Sequence, residues 1–338
     1  MNNKYNRRNF IKASAITGLG LSVMGNYSNL FASQTSGKRV GIIGLDTSHS
    51  IAFTKTLNAK DADPVYKGYK VVAAYPQGSK DIESAVSRVD GYIKDIKQYG
   101  VEIVNSIDDL LSKVDVVLLE SNDGRVHLEQ ALPVFKAGKR VFIDKPIAAS
   151  LSDTIEIFNK AEEFNVPVFS SSSLRYMESA QEIVKGKVGK VLGADAFSPA
   201  ALEKTHPDLL WYGIHGIEIL FTVMGPGCKS VTRTHTEDTD VVVGIWEDGR
   251  VGTFRGTRSG KSSYGGTVYG EKGISVLGPF GGYNPLLQQI VNFFETGVSP
   301  INKQETLEIV AFAEAADVSK KKKGSSVNLE SVFKKASK

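Results

Sequence analysis

Residues 40–50, VGIIGLDTSHS, join an apolar run to a turn whose side chains could contact a charged ligand. A dinucleotide-binding turn of the form G-x-G-x-x-G uses its first glycine for a tight bend. Its second glycine lets the pyrophosphate approach, and its third lets the helix pack closely. Gly44 keeps the first position, whereas Asp46 and His49 stand at the other two. The pattern leaves two interpretations open, a dinucleotide-binding turn or a helix whose N-terminus is capped by Asp46.

Polar residues after this turn and after the next apolar run bear on the kind of nucleotide. Thr47 and Ser48 could donate hydroxyl and backbone hydrogen bonds to a phosphate at the start of a helix. The next apolar run ends in YPQGSK at residues 75–80, which offers no acid for an adenosine ribose. Ser79 and Lys80 could accommodate a 2′-phosphate, so the sequence predicts NAD or NADP with a slight preference for NADP.

A second group of chemically active side chains lies between residues 205 and 218. Glu218 follows His215 by three residues, on the same face of a predicted helix, and His206 precedes both. Two imidazoles and one carboxylate are usual ligands of a catalytic zinc ion. The spacing leaves open a metal-assisted lyase or hydrolase, although our preferred assignment contains no metal.

Strands and helices alternate in the part of the chain that carries the altered glycine turn. Apolar runs predict buried strands at residues 40–44, 69–75, 114–119, 140–143 and 166–170, with helical segments between them. Such alternation is typical of a doubly wound parallel sheet. We therefore predict a Rossmann-type α/β domain over residues 38–174.

The pattern changes after residue 174. Alternating segments at 241–246 and 251–257 flank the turn Glu247-Asp248-Gly249 and predict antiparallel strands, which residues 267–277 continue. Helices are predicted at 212–224, 285–294 and 305–320. Residues 175–338 are thus predicted to form an α+β substrate and oligomerisation domain with an open, mainly antiparallel sheet. An open sheet face favours a homodimer or homotetramer.

The first 33 residues are predicted to be an export signal. Residues 6–12, NRRNFIK, match the twin-arginine pattern, and the weakly apolar run 13–24 is too short to span a membrane. Small residues near Ala32 and Ser33 offer a cleavage site. We expect a periplasmic protein that folds before export and is not stably inserted in a membrane.

Charge and cysteine content narrow the function classes. The formal net charge is +4, and the first 33 residues contain four basic residues and no acid, so the remainder is close to neutral. The rest of the chain therefore lacks the excess of basic residues that would indicate a nucleic-acid partner. Cys228 is the only cysteine, which excludes an intramolecular disulfide. The 338 residues are enough for two domains.

Several motifs, in order, resemble those of the Gfo/Idh/MocA oxidoreductases, NAD(P)-dependent enzymes that act mostly on sugars, cyclitols and their derivatives. Asp144-Lys145-Pro146 directly follows a predicted buried strand and resembles the family's Glu-Lys-Pro motif. ESNDGRVH at 120–127 resembles its loop near the nicotinamide, SLRY at 173–176 the start of its second domain, and WYGIH at 211–215 its Asp-x-Gly-x-His. The resemblance covers almost the whole chain after the signal.

The resemblance implies roles for particular residues. Lys145 would contact the substrate hydroxyl beside the nicotinamide, and His215 would accept or donate the proton, because hydride removal from a carbinol needs a base and a cation near the oxygen. Trp211 stands where the family has an Asp, so Glu218 is the candidate for orienting the histidine. The candidate substrate-binding residues are Arg175, His206, Asp208, Trp211 and Glu218. The candidate cofactor-binding residues are Gly44, Asp46, Thr47, Ser48, His49, Ser79, Ser121, Asn122, His127, Asp144 and Lys145.

The sequence thus predicts an NAD(P)-dependent oxidoreductase that transfers hydride to or from a hydroxyl or keto carbon of a small, sugar-like or cyclitol substrate. Because free nicotinamide is scarce in the periplasm, the cofactor is expected to stay bound. Two alternatives remain, the metal-assisted lyase or hydrolase and a non-catalytic sugar-binding protein that keeps only the fold.

Overall fold

A six-stranded parallel sheet forms the first half of the computed structural model, which describes residues 38–338; the predicted export signal lies outside them. Its strands are β1 (Arg39–Ile43), β2 (Lys70–Tyr75), β3 (Glu102–Ile103), β4 (Val116–Leu119), β5 (Val141–Asp144) and β6 (Val168–Ser171). They lie in the order β3-β2-β1-β4-β5-β6. Strands β4, β5 and β6 are buried along their whole length, as expected for a sheet covered on both faces. The predicted Rossmann-type fold is confirmed.

Six helices connect these strands. They are α1 (Ser48–Leu57), α2 (Glu83–Val86), α3 (Val89–Lys97), α4 (Ile107–Lys113), α5 (His127–Lys136) and α6 (Leu151–Glu163). The side chains of Ser106 and Ser150 cap α4 and α6 by accepting hydrogen bonds from backbone N–H groups two residues into each helix. Residues Ser87 and Arg88 separate α2 from α3.

A seven-stranded mixed sheet forms the second half. Its strands are β7 (Val191–Pro199), β8 (Cys228–His235), β9 (Thr239–Trp246), β10 (Val251–Thr257), β11 (Gly265–Gly270), β12 (Gly273–Leu277) and β13 (Val327–Asn328). They lie in the order β12-β11-β7-β10-β9-β8-β13, and only β7 and β10 pair in parallel. The predicted α+β half with a mainly antiparallel sheet is confirmed. Residues 267–277, predicted as one continuation, fall in the hairpin β11–β12.

The helices of the second half pack on both sheets. They are α7 (Glu178–Val184), α8 (Asp208–Trp211), α9 (Ile214–Met224), α10 (Asn284–Thr296), α11 (Lys303–Lys321) and α12 (Leu329–Ala336). All residues of α9 are buried, whereas α10 returns to the first sheet. There Phe293 stacks edge-on against Phe169 at 5.6 Å. The predicted domain boundary between residues 174 and 175 stays a prediction. Helix α10 comes after that boundary in the chain, yet it packs into the core of the first sheet.

One buried arginine ties α8 and α11 to the second sheet. Arg233 on β8 is 1% exposed and donates to Asp240 at 2.8 Å, to Asp317 at 2.6 Å and to Asp208 at 2.9 Å. Lys320 also donates to Asp208, at 2.8 Å. Asp208 therefore has a structural role, whereas the sequence predicted that it binds substrate.

The second sheet exposes apolar side chains along one edge. Ile274 and Val276 on β12 are 69% and 72% exposed, and Tyr269 on β11 is also exposed. This surface supports the predicted homo-oligomer, which stays a prediction. Within residues 38–338, no helix has both the length and the apolar character that a membrane span needs.

Replacing the buried arginine is expected to destabilise the fold. Arg233→Met leaves three acids without their shared cation, so we expect the free energy of unfolding to fall by about 3–5 kcal/mol. The control is Arg39→Met, which breaks the exposed pair of Arg39 with Asp115 and should lower the free energy of unfolding far less, because solvent screens this pair. Urea unfolding followed by circular dichroism measures both. Equal losses in the two variants would contradict the argument.

Candidate functional site

A cavity of about 240 Å³ opens where the carboxyl ends of β1, β4 and β5 face the second half. Seven predicted site residues line it: Thr47, Ser48, His49, Asn122, Lys145, Trp211 and His215. The other lining residues are Ser84, Arg88, Ser173, Leu174, Ala201, Tyr212, Tyr264, Phe280 and Tyr283. The two predicted catalytic residues thus share one cavity with the start of α1.

Lys145 and His215 reach this cavity from different halves of the structure. Lys145 directly follows β5, and His215 lies in the first turn of α9. His215 Nδ1 is 2.9 Å from the Ser172 hydroxyl, and its ring contacts Tyr212 and Tyr264. Burial and the positive charge of Lys145 hold the pKa of His215 well below its usual value. The imidazole is therefore neutral at neutral pH and able to accept a proton.

Asp46 does not cap α1 and does not line the cavity. Its side chain is fully buried and accepts hydrogen bonds from the backbone N–H of Ser79 at 2.9 Å and of Asn122 at 2.8 Å. Burial raises the pKa of Asp46, and these two donors oppose that rise. A Cβ on Gly78 would lie 2.1 Å from Asp46 Oδ2, so this contact requires glycine at position 78.

The cavity wall at the start of α1 fits a phosphate-bearing group. Gly44 has φ +90°, and a Cβ there would lie 2.5 Å from the backbone N of Ser121, so the tight turn requires glycine. Thr47 is the N-cap residue of α1, and its hydroxyl is buried without a hydrogen-bond partner. The helix N-terminus favours an anion. Arg88, exposed on the same cavity wall, adds a positive charge.

Three predicted cofactor residues hold loops together and do not line the cavity. Ser79 donates to Asp123 at 3.2 Å, and Ser121 donates to Gln130 at 2.6 Å. The His127 ring lies 2.7 Å from the Ser121 carbonyl oxygen through Nε2 and 3.2 Å from that of Ile147 through Nδ1. These contacts fix the loops that follow β2, β4 and β5.

Glu218 reaches His215 only indirectly. It accepts hydrogen bonds from Ser171 Oγ at 2.7 Å, from Ser172 N at 2.9 Å and from Arg175 Nε at 3.0 Å. Ser172 in turn contacts His215 through its hydroxyl. Glu218 and Arg175 therefore position Ser172 and lie outside the cavity lining.

The metal ligands suggested by the sequence do not come together. Glu218 is occupied by Arg175, and His206 packs on Trp211 with ring centroids 5.2 Å apart. His206 Nδ1 lies 3.2 Å from the carbonyl oxygen of Pro207. Neither the two histidines nor Glu218 belongs to the candidate metal cluster that the described residues form.

That cluster consists of His49, Glu120 and Asp144, at the ends of β1, β4 and β5. His49 Nδ1 lies 2.9 Å from Asp144 Oδ2 and 3.8 Å from Glu120 Oε2. Burial and the charge of Asp144 raise the pKa of Glu120 well above its usual value. Burial opposes ionisation of Asp144 too, but the charges of His49 and Lys145 outweigh it and lower the pKa of Asp144 to about 2.

Sequence reasoning missed several residues of this site. Glu120 lies in the motif at residues 120–127, but no sequence signal assigns it a role, because its place beside His49 depends on the order of β1, β4 and β5 in the sheet. Arg88, Tyr264 and Tyr283 line the cavity from distant parts of the chain and carry no local signal. Phe280, in the glycine-rich segment 278–284, also lines the cavity.

Comparison with known proteins supports the fold and the nucleotide-binding half. Residues 38–172 match an oxidoreductase family with an NAD-binding Rossmann fold. A 1,5-anhydro-D-fructose reductase from Ensifer adhaerens is 30% identical over 99 residues, which cover 28% of this chain and 30% of that enzyme. The chain aligns with less than half of the length of the curated relatives it matches.

Solved structures share the overall fold. A probable dehydrogenase from Thermotoga maritima superposes with a TM-score of 0.70 at 20% identity, covering 87% of this chain and 99% of that one. Scyllo-inositol dehydrogenase from Lactobacillus casei, solved with bound NAD(H) and scyllo-inositol, gives 0.66 at 18% identity, with coverage of 86% and 99%. The predicted two-part architecture is confirmed.

His206 is expected to make the stability of the protein depend on pH. Burial lowers its pKa to about 4, against about 6.5 in an unfolded chain. Protonation then favours the unfolded state, so the stabilisation by neutral His206 is complete above about pH 6.5 and declines as the pH falls toward about 4. Over this range the free energy of unfolding falls by at most about 3 kcal/mol. Urea unfolding of wild type and His206→Gln across this range measures it, and equal slopes would contradict the assignment.

Proposed function

We propose that this protein is a Gfo/Idh/MocA oxidoreductase that transfers hydride between a nicotinamide dinucleotide and a CH–OH carbon, since residues 38–172 match that family's model with its NAD-binding Rossmann fold. The observation that carries the proposal is the shared cavity of Lys145 and neutral His215, next to a helix N-terminus suited to phosphate. The family match and this geometry support the same reaction class.

The chemistry of the two residues suits alcohol oxidation. Removing hydride from a carbinol leaves a protonated carbonyl unless a base accepts the hydroxyl proton. His215 accepts that proton as a neutral imidazole, while the Lys145 ammonium stabilises negative charge developing on the oxygen. A bound nicotinamide supplies the hydride acceptor. Ser172, held by Glu218, keeps the imidazole ring in place.

The proposed substrate is a small polyol, sugar or cyclitol. The cavity walls combine the hydroxyl groups of Tyr212 and Tyr264, 3.3 Å apart, with the apolar rings of Trp211 and Phe280. Such a lining suits a molecule with many hydroxyls and apolar C–H faces. The names of the inositol dehydrogenase and anhydrofructose reductase relatives support this substrate class.

The cofactor is proposed to stay bound through an oxidation and a re-reduction, so that the nicotinamide ends each cycle in its starting state. To test binding, the protein is purified from an exporting host and denatured, and released nucleotide is identified by mass spectrometry. We expect nearly one NAD or NADP per chain. Protein that arrives empty and binds no added nucleotide would overturn the oxidoreductase proposal.

Lys145→Met and His215→Ala are expected to lower turnover by about 10²–10⁴-fold each, the range for loss of a positioned acid or base. The control is His235→Gln, because His235 lies on the second sheet and contacts Asp240. Turnover is followed with a panel of polyols and sugars, and circular dichroism confirms folding. Unchanged rates in both cavity variants would contradict the assigned roles.

Export by the twin-arginine route is proposed from Arg7 and Arg8, which lie in the segment before the described residues. We expect the double variant Arg7→Lys, Arg8→Lys to accumulate in the cytoplasm, because the pathway recognises the arginine pair. Cell fractionation and immunoblotting measure the distribution. A periplasmic level equal to that of wild type would count against this route.

A further inference from the structure

We propose that His49, Glu120 and Asp144 bind a divalent transition-metal ion at the carboxyl edge of the parallel sheet, beside the cavity. The three side chains come from the start of α1 and from the ends of β4 and β5, and each can direct one ligand atom to a common point. This proposal does not rest on the proposed oxidoreductase function.

The distances suit one ion. His49 Nδ1 lies 2.9 Å from Asp144 Oδ2 and 3.8 Å from Glu120 Oε2, and all three ligand atoms lie within 4.8 Å of one another. Nitrogen and oxygen ligands lie about 2.0–2.2 Å from zinc, so atoms sharing one ion are about 3–4 Å apart. Small side-chain rotations would complete the coordination.

The unpartnered carboxylate of Glu120 is the strongest argument. Glu120 is 0% exposed, and neither of its oxygens has a hydrogen-bond partner in the described part of the chain. Asp144 is equally buried, its Oδ2 lies 2.9 Å from His49 Nδ1, and neither of its oxygens has a hydrogen-bond partner there either. Burying a carboxylate without a partner is strongly unfavourable, so native structures pair such groups with cations or metal ions. One imidazole cannot serve both acids at hydrogen-bond distance, whereas a divalent ion can.

The ligand set indicates the class of metal. One imidazole nitrogen with two carboxylate oxygens suits Zn²⁺, Mn²⁺ or Fe²⁺, whereas Mg²⁺ and Ca²⁺ prefer oxygen ligands alone. Three protein ligands leave at least one coordination position open, as in catalytic sites. His49 lines the cavity, and so does Lys145, the neighbour of Asp144. An exogenous ligand in the cavity could therefore supply an oxygen atom to the ion.

The test uses the purified full chain, treated with EDTA, desalted, and studied without nucleotide or substrate. Zn²⁺ uptake is measured by elemental analysis after dialysis, and Mn²⁺ binding by electron paramagnetic resonance, with Mg²⁺ as the comparison ion. We expect one Zn²⁺ or Mn²⁺ per chain. Glu120→Gln and Asp144→Asn should weaken binding by at least about 100-fold, since losing even an outer-shell partner costs about 10–100-fold.

The control variant is Glu308→Gln. Glu308 on α11 is another buried carboxylate, which accepts hydrogen bonds from the backbone N–H groups of Gly227 and Cys228 and lies outside the proposed cluster. The Glu308→Gln variant should bind the ion as wild type does. Wild-type protein that takes up neither ion at millimolar concentration, or a Glu120→Gln variant that binds normally, would overturn the proposal.

Thermal unfolding gives a second readout. Glu120→Gln replaces a buried carboxyl group that has no hydrogen-bond partner with a neutral amide of the same shape, so the metal-free variant should melt at least as high as metal-free wild type. Added Zn²⁺ should raise the melting temperature of wild type and not that of the variant. If Glu120 binds only a proton, Zn²⁺ will not change the melting temperature of either protein. The metal proposal then fails, whether or not the nucleotide experiment succeeds.

Discussion

The buried carboxylate of Asp46 is the contact on which the geometry of the site depends. It lies above the end of β1 and accepts backbone N–H groups from the loops after β2 and β4, so three loops are joined through one side chain. In a glycine-rich turn this position has no side chain, which lets the phosphates approach the backbone. Here the carboxylate accepts two of the local donors, so under the proposed function Thr47, Ser48 and Arg88, which line the cavity, are the candidates for phosphate binding.

A second series of contacts orients His215, the proposed base. Arg175 and Glu218 form a buried ion pair that also binds the backbone and hydroxyl groups of Ser171 and Ser172. Ser172 in turn contacts His215. Where the sequence resemblance would place an Asp two positions before the glycine of this motif, Trp211 lines the cavity instead. Orientation of the histidine therefore comes from the end of β6 through Ser172.

The fold could be predicted from the sequence because its signals are local. Buried apolar runs, helical segments between them and the Glu247-Asp248-Gly249 turn each determine a nearby element, and the sheet order follows from general rules for parallel strands. The site was only partly predictable. Motifs identified Lys145 and His215, but the approach of Glu120 to His49 and the return of α10 to the first sheet depend on contacts between residues far apart in the chain. Short strands such as β3 and β13 carry too few residues for a periodic pattern.

The balance of buried charge explains why the sheet edge requires a positive partner. Asp46 accepts two backbone N–H groups. His49 and Lys145 favour the ionised form of Asp144, although neither of its oxygens has a hydrogen-bond donor, and Glu120 likewise has no donor. Protein interiors do not leave such a group uncompensated, so the edge must bind either a proton or a cation. A divalent ion meets this need, and an oxidised nicotinamide ring, which is positively charged, would also be favoured near these acids over the neutral reduced form. Both proposals therefore place a positive group against the one acidic edge that Glu120 and Asp144 form.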